Sequence, residues 1–376
     1  MDGQLGPGHS GAMETSAVPR HPDSLDTDLV RAQYAPAATY LNTASSGLLP
    51  ARAGAAMRDA ITTMAEGGAI DALFDDVEAA RAAFARIAGV PATRVATGAS
   101  VAVYTGLIAS SLPDGAEVLT AEGEFSSTIN PFHVRPGLKV RTVPLEALAE
   151  SVRPGTALVA VSAAQSADGR VADLPALRAA TTAHGARLYV DASQAAGWYP
   201  LAAHAPQADY VTSVAFKWLT CPRGATFFVG PADPEGFAAL RPVFGGWVAG
   251  ERPWDSCYGP VAELARSARR FDETPSLISY TGARRSLELV EELGPDAVRA
   301  HDLALADRFR AGLAERGLTP LPAPDSPIVS VPGLGARQPE LRTRGIEVSD
   351  RAGNLRASFH LYNTTADVDA LLTALA

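Results

Sequence analysis

Seven short apolar runs, most of them separated by stretches of helical periodicity, constrain this chain more than any other feature. They lie at residues 94–96, 118–120, 139–144, 157–162, 187–191, 210–214 and 225–229. Helical stretches such as 101–112 and 174–184 fall between them. This alternation predicts an α/β fold with a mostly parallel seven-stranded sheet covered on both faces. Upstream, an Ala-rich helical pattern runs over residues 55–88 and is interrupted at Gly67-Gly68. From about Gly282 the pattern changes to long amphipathic helices, 283–293 and 297–316. Two short strands near 328–331 and 355–360 and a final helix from Ala366 complete a small C-terminal α/β unit. We expect a mobile tail over 1–25, a large domain over 26–275 joined to the small one by its N-terminal segment, and a small domain over 276–376. Met13 offers an alternative start to Met1.

Composition narrows the function. The 376 residues, 47% of them hydrophobic, suffice for such a two-part core. A formal charge of −9, without basic runs, speaks against nucleic acid as a partner. Cys221 and Cys257 are too few for a disulfide framework or a zinc cluster. The seven histidines show no ligand spacing, so no metal is expected. With no apolar run of membrane-spanning length and no apolar signal core, the expected location is the cytoplasm.

Chemistry-bearing residues sit where the runs end, and in open α/β sheets ligands gather at the carboxyl ends of strands. Lys217 follows the run 210–214. Asp191 closes the run 187–191, where a buried carboxylate needs a partner. A lysine and an aspartate so placed suit pyridoxal phosphate: the amine forms a Schiff base with the aldehyde, and the carboxylate pairs with the pyridinium nitrogen. The competing readings are a lysine reaching solvent and an aspartate capping a helix from Ala192. Gln194 is placed to hydrogen-bond the ring oxygen. Gly98, Ala99 and Ser100 open a helix whose free N–H groups suit a phosphate, although Ser and Gly also serve there as plain caps. Phe125 can stack on a heteroaromatic ring or belong to the core. Arg356, in an apolar strand, suits a substrate carboxylate or an exposed sheet edge. Trp247, Trp254 and Tyr258 are expected at the substrate mouth.

Together these segments resemble class V aminotransferase-fold enzymes, the group that includes cysteine desulfurases, selenocysteine lyases, kynureninases and isopenicillin N epimerase-like proteins. The resemblance rests on Tyr40-Leu-Asn-Thr-Ala44, Asp191-Ala-Ser-Gln194, the Lys217 segment and Arg270-Phe-Asp-Glu-Thr-Pro275. It also rests on Arg356-Ala-Ser-Phe-His-Leu-Tyr-Asn-Thr364 followed by Asp367-Val-Asp369. It implies the type I fold of pyridoxal-phosphate-dependent transferases and pyridoxal 5'-phosphate as cofactor. Lys217 then becomes the Schiff-base lysine, Asp191 the pyridinium partner, Gln194 the ring-oxygen donor, Phe125 the stacking ring and Ser100 a phosphate ligand. Arg356, with Ala44, receives the substrate. Thr274 reaches the phosphate of a neighbouring subunit, which implies a homodimer.

The departures matter as much. The segment 348–355 lacks the cysteine that desulfurases carry there. Phe216 and Val214 replace side chains that bind phosphate in relatives, and Ser166 or Gln165 stands where desulfurases place an asparagine. The expected substrate is an amino acid that loses its alpha proton to Lys217. The leading expectation is a carbon–sulfur beta-eliminating lyase of a cysteine derivative. An aminotransferase, an epimerase or racemase, and a non-catalytic scaffold are the alternatives.

Overall fold

The computed structural model describes residues 25–376. The expected tail, apart from Leu25, and both candidate starts lie outside the described residues. A two-residue strand β1 (Thr39–Tyr40) precedes the main sheet. That sheet comprises β2 (Val95–Gly98), β3 (Glu117–Ala121), β4 (Lys139–Val143), β5 (Thr156–Ser162), β6 (Arg187–Asp191), β7 (Tyr210–Val214) and β8 (Thr226–Val229). Its spatial order is β2-β8-β7-β6-β5-β3-β4. Only β8 runs against the rest, pairing antiparallel with both β2 and β7. All seven expected strands form, each displaced by no more than two residues at either end.

The reason is visible in how the strands divide between two cores. On one face lie Val95, Leu119, Val159, Val161, Leu188, Val190, Val211 and Phe227. On the other lie Ala96, Val118, Leu158, Ala160, Tyr189, Tyr210 and Phe228. Successive side chains point to opposite faces, so a strand buried on both sides is mostly apolar, as β5 and β6 are, whereas β4 at the sheet edge carries Lys139 and Arg141. Helix Leu277–Leu293 packs across helices Ala51–Ala65 and Asp71–Ile87. The gap between the last two, at Gly67-Gly68, is where the helical pattern breaks.

A second core collects Leu305, Phe309 and Leu313 with Val329, Leu355 and Leu371. Its sheet has the order β11 (Ser349–Arg351), β12 (Asn354–Ser358), β9 (Ile328–Val331). β10 (Ile346–Glu347) pairs in parallel with β1, and Leu41 joins this second core. Helix Thr365–Leu375 begins with a capping box between Thr364 and Asp367. The stretch 348–355, where the sequence lacks the desulfurase cysteine, contains β11 and a two-residue hairpin. Ala352 and Gly353 both take positive φ (52° and 81°), the turn that matches the twist of paired strands.

Candidate active site

The carboxyl ends of the parallel strands open onto a cavity of about 420 Å³, within the usual range for small-ligand sites. Lys217, Asp191, Phe125, Ser166, Ala44 and the Ala99-Ser100 pair all line it. Seven of the residues singled out from sequence are thus brought together from five separate strand ends and the N-terminal segment. In a cavity of about 610 Å³ elsewhere, the lining Arg170 is already paired with Glu146 and Asp168.

Lys217 sits in a tight turn after β7. Its carbonyl accepts from Thr220 N–H (3.1 Å), and Cys221 N–H closes back onto Ala215 (3.0 Å). Thr220 has φ +52°, a costly conformation for a β-branched residue, and such strain gathers at functional turns. The Tyr34 hydroxyl (2.9 Å) and the Ser286 hydroxyl (3.0 Å) hold it there. Gly47 lies against the Lys217 carbonyl so closely that a Cβ would sit 2.0 Å from the oxygen. Any larger residue would displace the turn. Nζ lies 5.2 Å from the centre of the Phe125 ring. Burial lowers the Lys217 pKa to about 8. Asp191 opposes that shift, while Arg356, Arg223 and Arg351 add to it.

Asp191 ends β6, 3% exposed. Its Oδ2 accepts from the Thr128 hydroxyl (2.6 Å) and its Oδ1 from Ser193 N–H (2.9 Å). Residues 192–196 form a turn rather than the helix that a capping role would require. No cation pairs with this carboxylate among the described residues, so a buried anion faces the cavity. Gln194 has both ends of its amide engaged. Nε2 donates to the Ala44 carbonyl (2.8 Å) and Ser166 Oγ (3.0 Å), and Oε1 accepts from the Trp218 indole (2.8 Å). Contact with a cofactor oxygen would replace the Ser166 bond.

Ser100 is the N-cap of helix Val101–Ser111, yet its hydroxyl makes no capping bond. The two amides before it are occupied. Gly98 N–H donates to the Tyr280 hydroxyl (2.9 Å), and Ala99 N–H donates to Glu273 Oε2 (2.8 Å). Thr274 is exposed and lies outside the cavity wall.

Arg356 is not at an edge. It occupies the middle strand of the small sheet, opposite Ser349 and Ser330, and is 1% exposed. Its Nη1 donates to the Ser166 carbonyl and its Nη2 to Ser45 Oγ (2.7 Å). Its Nε is buried without a partner. Burial, reinforced by Arg351, lowers its pKa to about 9. A guanidinium in that state is short of an anion.

Trp247 and Trp254 are corrections to the sequence reading. They pack on Phe74, at ring separations of 5.9 and 5.4 Å, and line a different cavity. Tyr258 is 94% exposed. Aromatic bulk in a Gly-rich stretch does not reveal which neighbour it will meet. Sequence reasoning also passed over Ser45, Thr128, Glu124 and Arg351. Glu124 accepts from Ser162 N–H, the Ser162 hydroxyl, Gln165 and Phe125 N–H, tying the Phe125 loop to the end of β5. Its place immediately before Phe125 was the available signal. His360 and Asp302 carried none, since 58 residues separate them. They meet fully buried, His360 Nδ1 2.8 Å from Asp302 and Nε2 2.9 Å from the Trp218 carbonyl.

Residues 40–371 match the family model described as aminotransferase class V. The chain belongs to that family. It is 30% identical to isopenicillin N epimerase from Streptomyces clavuligerus, over 90% of this chain and 94% of that one. The fold matches a cysteine desulfurase from Thermococcus onnurineus NA1, with TM-score 0.81, 20% identity and 93% and 97% of the two chains covered. It matches a cystine C–S lyase equally well, with TM-score 0.81, 22% identity and coverage of 90% and 97%. Membership makes the chain a pyridoxal-phosphate-dependent enzyme, and the cavity fits that cofactor. A buried carboxylate without a cation partner among the described residues suits a pyridinium nitrogen, and the lysine has its pKa lowered toward neutrality. An unused serine hydroxyl stands at a helix N-terminus. Among the described residues, no helix is long and apolar enough to cross a membrane. No group of three or more His, Cys, Asp or Glu there could hold a metal ion.

Proposed function

We propose that this class V enzyme is a carbon–sulfur lyase. It withdraws the alpha proton of a cysteine derivative and expels the sulfur substituent from the beta carbon. The observation that carries this reading is that Lys217 is the one amine in the cavity wall, with burial lowering its pKa to about 8. Among the described residues, no His, Tyr, Cys or Glu stands in the wall. One base favours a reaction in which a proton is taken and a leaving group departs. Inversion at the alpha carbon would call for a second donor on the opposite face, and the described residues of this chain place none in the wall. Neither cysteine supports a persulfide-forming desulfurase, because Cys221 is buried against the Leu219 carbonyl and Cys257 lies outside the wall.

The cofactor, when bound, supplies the electron sink for a carbanion at the alpha carbon. Arg356 receives the substrate carboxylate through its two Nη groups, exchanging its bonds to Ser45 and Ser166. Lys217, with a pKa of about 8, has a neutral fraction able to accept the alpha proton at physiological pH. The Asp191 carboxylate, held by Thr128 and Ser193, would keep the ring nitrogen protonated. Phe125 would pack on the ring, and Ser100 with the helix start would hold the phosphate. Exposed Thr274 belongs to a shared site in a homodimer, as the family resemblance implies.

Epimerisation is the second reading, favoured by the 30% identity to an epimerase across nearly the whole chain. The deciding experiment gives the holoenzyme S-substituted L-cysteines in deuterated water. Catalytic ammonia, pyruvate and thiol support the lyase. Interconversion of enantiomers with deuterium at the alpha carbon, without ammonia, would establish the epimerase. Stoichiometric keto acid would mean transamination.

A further inference from the structure

Two arginines line the cavity wall, and Arg356 lies buried behind it, reaching Ser45 and Ser166. The two are Arg223 and Arg351, and neither forms an ion pair among the described residues. Arg223 stacks on Phe216 at 4.0 Å. Arg351 donates Nη1 to the Asp350 carbonyl (2.7 Å) and Nη2 to Ser45 Oγ (2.9 Å). The same Ser45 oxygen accepts from Arg356 (2.7 Å). Two guanidinium groups therefore converge on one hydroxyl with no carboxylate between them. Arg356 is buried and Arg351 is exposed at the cavity rim, so an anion between them would meet one desolvated and one solvated positive charge. The only carboxylate in the wall, Asp191, already accepts from Thr128 and Ser193.

Arg351 is also presented rigidly. It closes the β11–β12 hairpin opposite Asn354, beside the left-handed Ala352. Asp350 Oδ1 accepts from Gly353 N–H (2.9 Å), and Gly335 N–H donates to the Gly353 carbonyl (3.0 Å). Keeping a non-glycine residue at positive φ has a conformational cost. One guanidinium suffices for one carboxylate, bidentately, so Arg356 accounts for the alpha-carboxylate and leaves Arg351 unassigned.

We propose that the substrate carries a second anionic group, a carboxylate at the end of its side chain, and that Arg351 binds it. The substrate class is then an amino acid with an acidic side chain, such as an S-carboxyalkyl cysteine. This rests on the amino-acid-binding reading of the site but not on which bond breaks.

The test titrates holoenzyme with L-glutamate and its uncharged isostere L-glutamine, and with S-carboxymethyl-L-cysteine and its amide. Binding is followed by cofactor absorbance and tryptophan fluorescence, whether or not turnover occurs. Wild type should bind the acid of each pair about tenfold more tightly than the amide. Arg351→Gln should bring that ratio near one, and Arg351→Lys should keep part of it. Equal binding of acid and amide by wild type would overturn the proposal. So would an Arg351→Gln variant that weakens both and preserves the ratio, since Arg351 would then serve the alpha-carboxylate. A retained ratio with no ammonia released would refute the lyase alone.

Discussion

Lys217 should weaken the fold of the cofactor-free protein in a pH-dependent way, and Lys217→Met should remove that weakness. Burial takes the amine from its ordinary pKa of 10.5 to about 8. Between those values the unfolded chain binds a proton that the folded one does not, so stability rises with pH through this window. Below pH 8 the ammonium must be carried inside the fold at full cost. The 2.5-unit difference, at about 1.4 kcal/mol per unit, corresponds to roughly 3 kcal/mol. Most of it, about 2.5 kcal/mol, is recovered between pH 7 and pH 10. The expected result is that Lys217→Met gains about 2.5 kcal/mol more over wild type at pH 7 than at pH 10. Any packing difference between lysine and methionine is the same at both pH values and cancels. Urea unfolding of the two cofactor-free proteins, followed by circular dichroism at each pH, measures it. A stability difference that does not change with pH would refute the claim that this amine is destabilised by burial.

Three other outcomes follow from particular contacts. The buried Arg81–Asp272 pair (2.7 Å) also fixes β2, since Asp272 accepts from Thr97 N–H. Asp272→Ala should therefore cost about 3 kcal/mol, leaving buried Arg81 with only the exposed Glu78 as its carboxylate and Thr97 N–H without its acceptor, whereas the Arg81→Met/Asp272→Leu double variant should cost less; calorimetry of all three proteins checks this. Glu273 occupies the Ala99 amide with a negative charge where a phosphate is expected, so Glu273→Ala should tighten pyridoxal phosphate binding several-fold, measurable by fluorescence titration of the apo protein. His360 holds the carbonyl of Trp218, next to Lys217, while the Trp218 indole holds Gln194. His360→Ala should broaden and shift the pH profile of cofactor absorbance, which a purely structural role far from Lys217 would leave in place.

The comparison of expectation with outcome separates two kinds of information. Strands 187–191 and 210–214 are legible to the residue because burial on both faces favours a run dominated by apolar residues, a local property. The hairpin at 352–353 leaves little trace in sequence because Ala-Gly is a weak turn signal, and Gly335 packs against Asp350 and Gly353 on either side of Ala352 only in the folded chain. Asp191 and Lys217 were legible because a charge at the end of an apolar run is costly and calls for a reason. Arg356 looked like an edge residue, and only β11, paired on its far side, makes its strand central. Trp247 and Trp254 stand as the opposite case, conspicuous in sequence but directed to Phe74.

Local chemistry along the chain thus determined the sheet, its burial, and the lysine and aspartate at its carboxyl edge. Each of these follows from apolar period or from the cost of a buried charge, which a few adjacent residues set by themselves. The tertiary structure alone decided that Ser45 joins Arg351 to Arg356, that Glu273 covers the Ala99 amide, and that Asp302 meets His360 behind Trp218. Those partners lie tens to hundreds of residues apart. Pairing at that range depends on how strands and helices stack, and no local pattern encodes it.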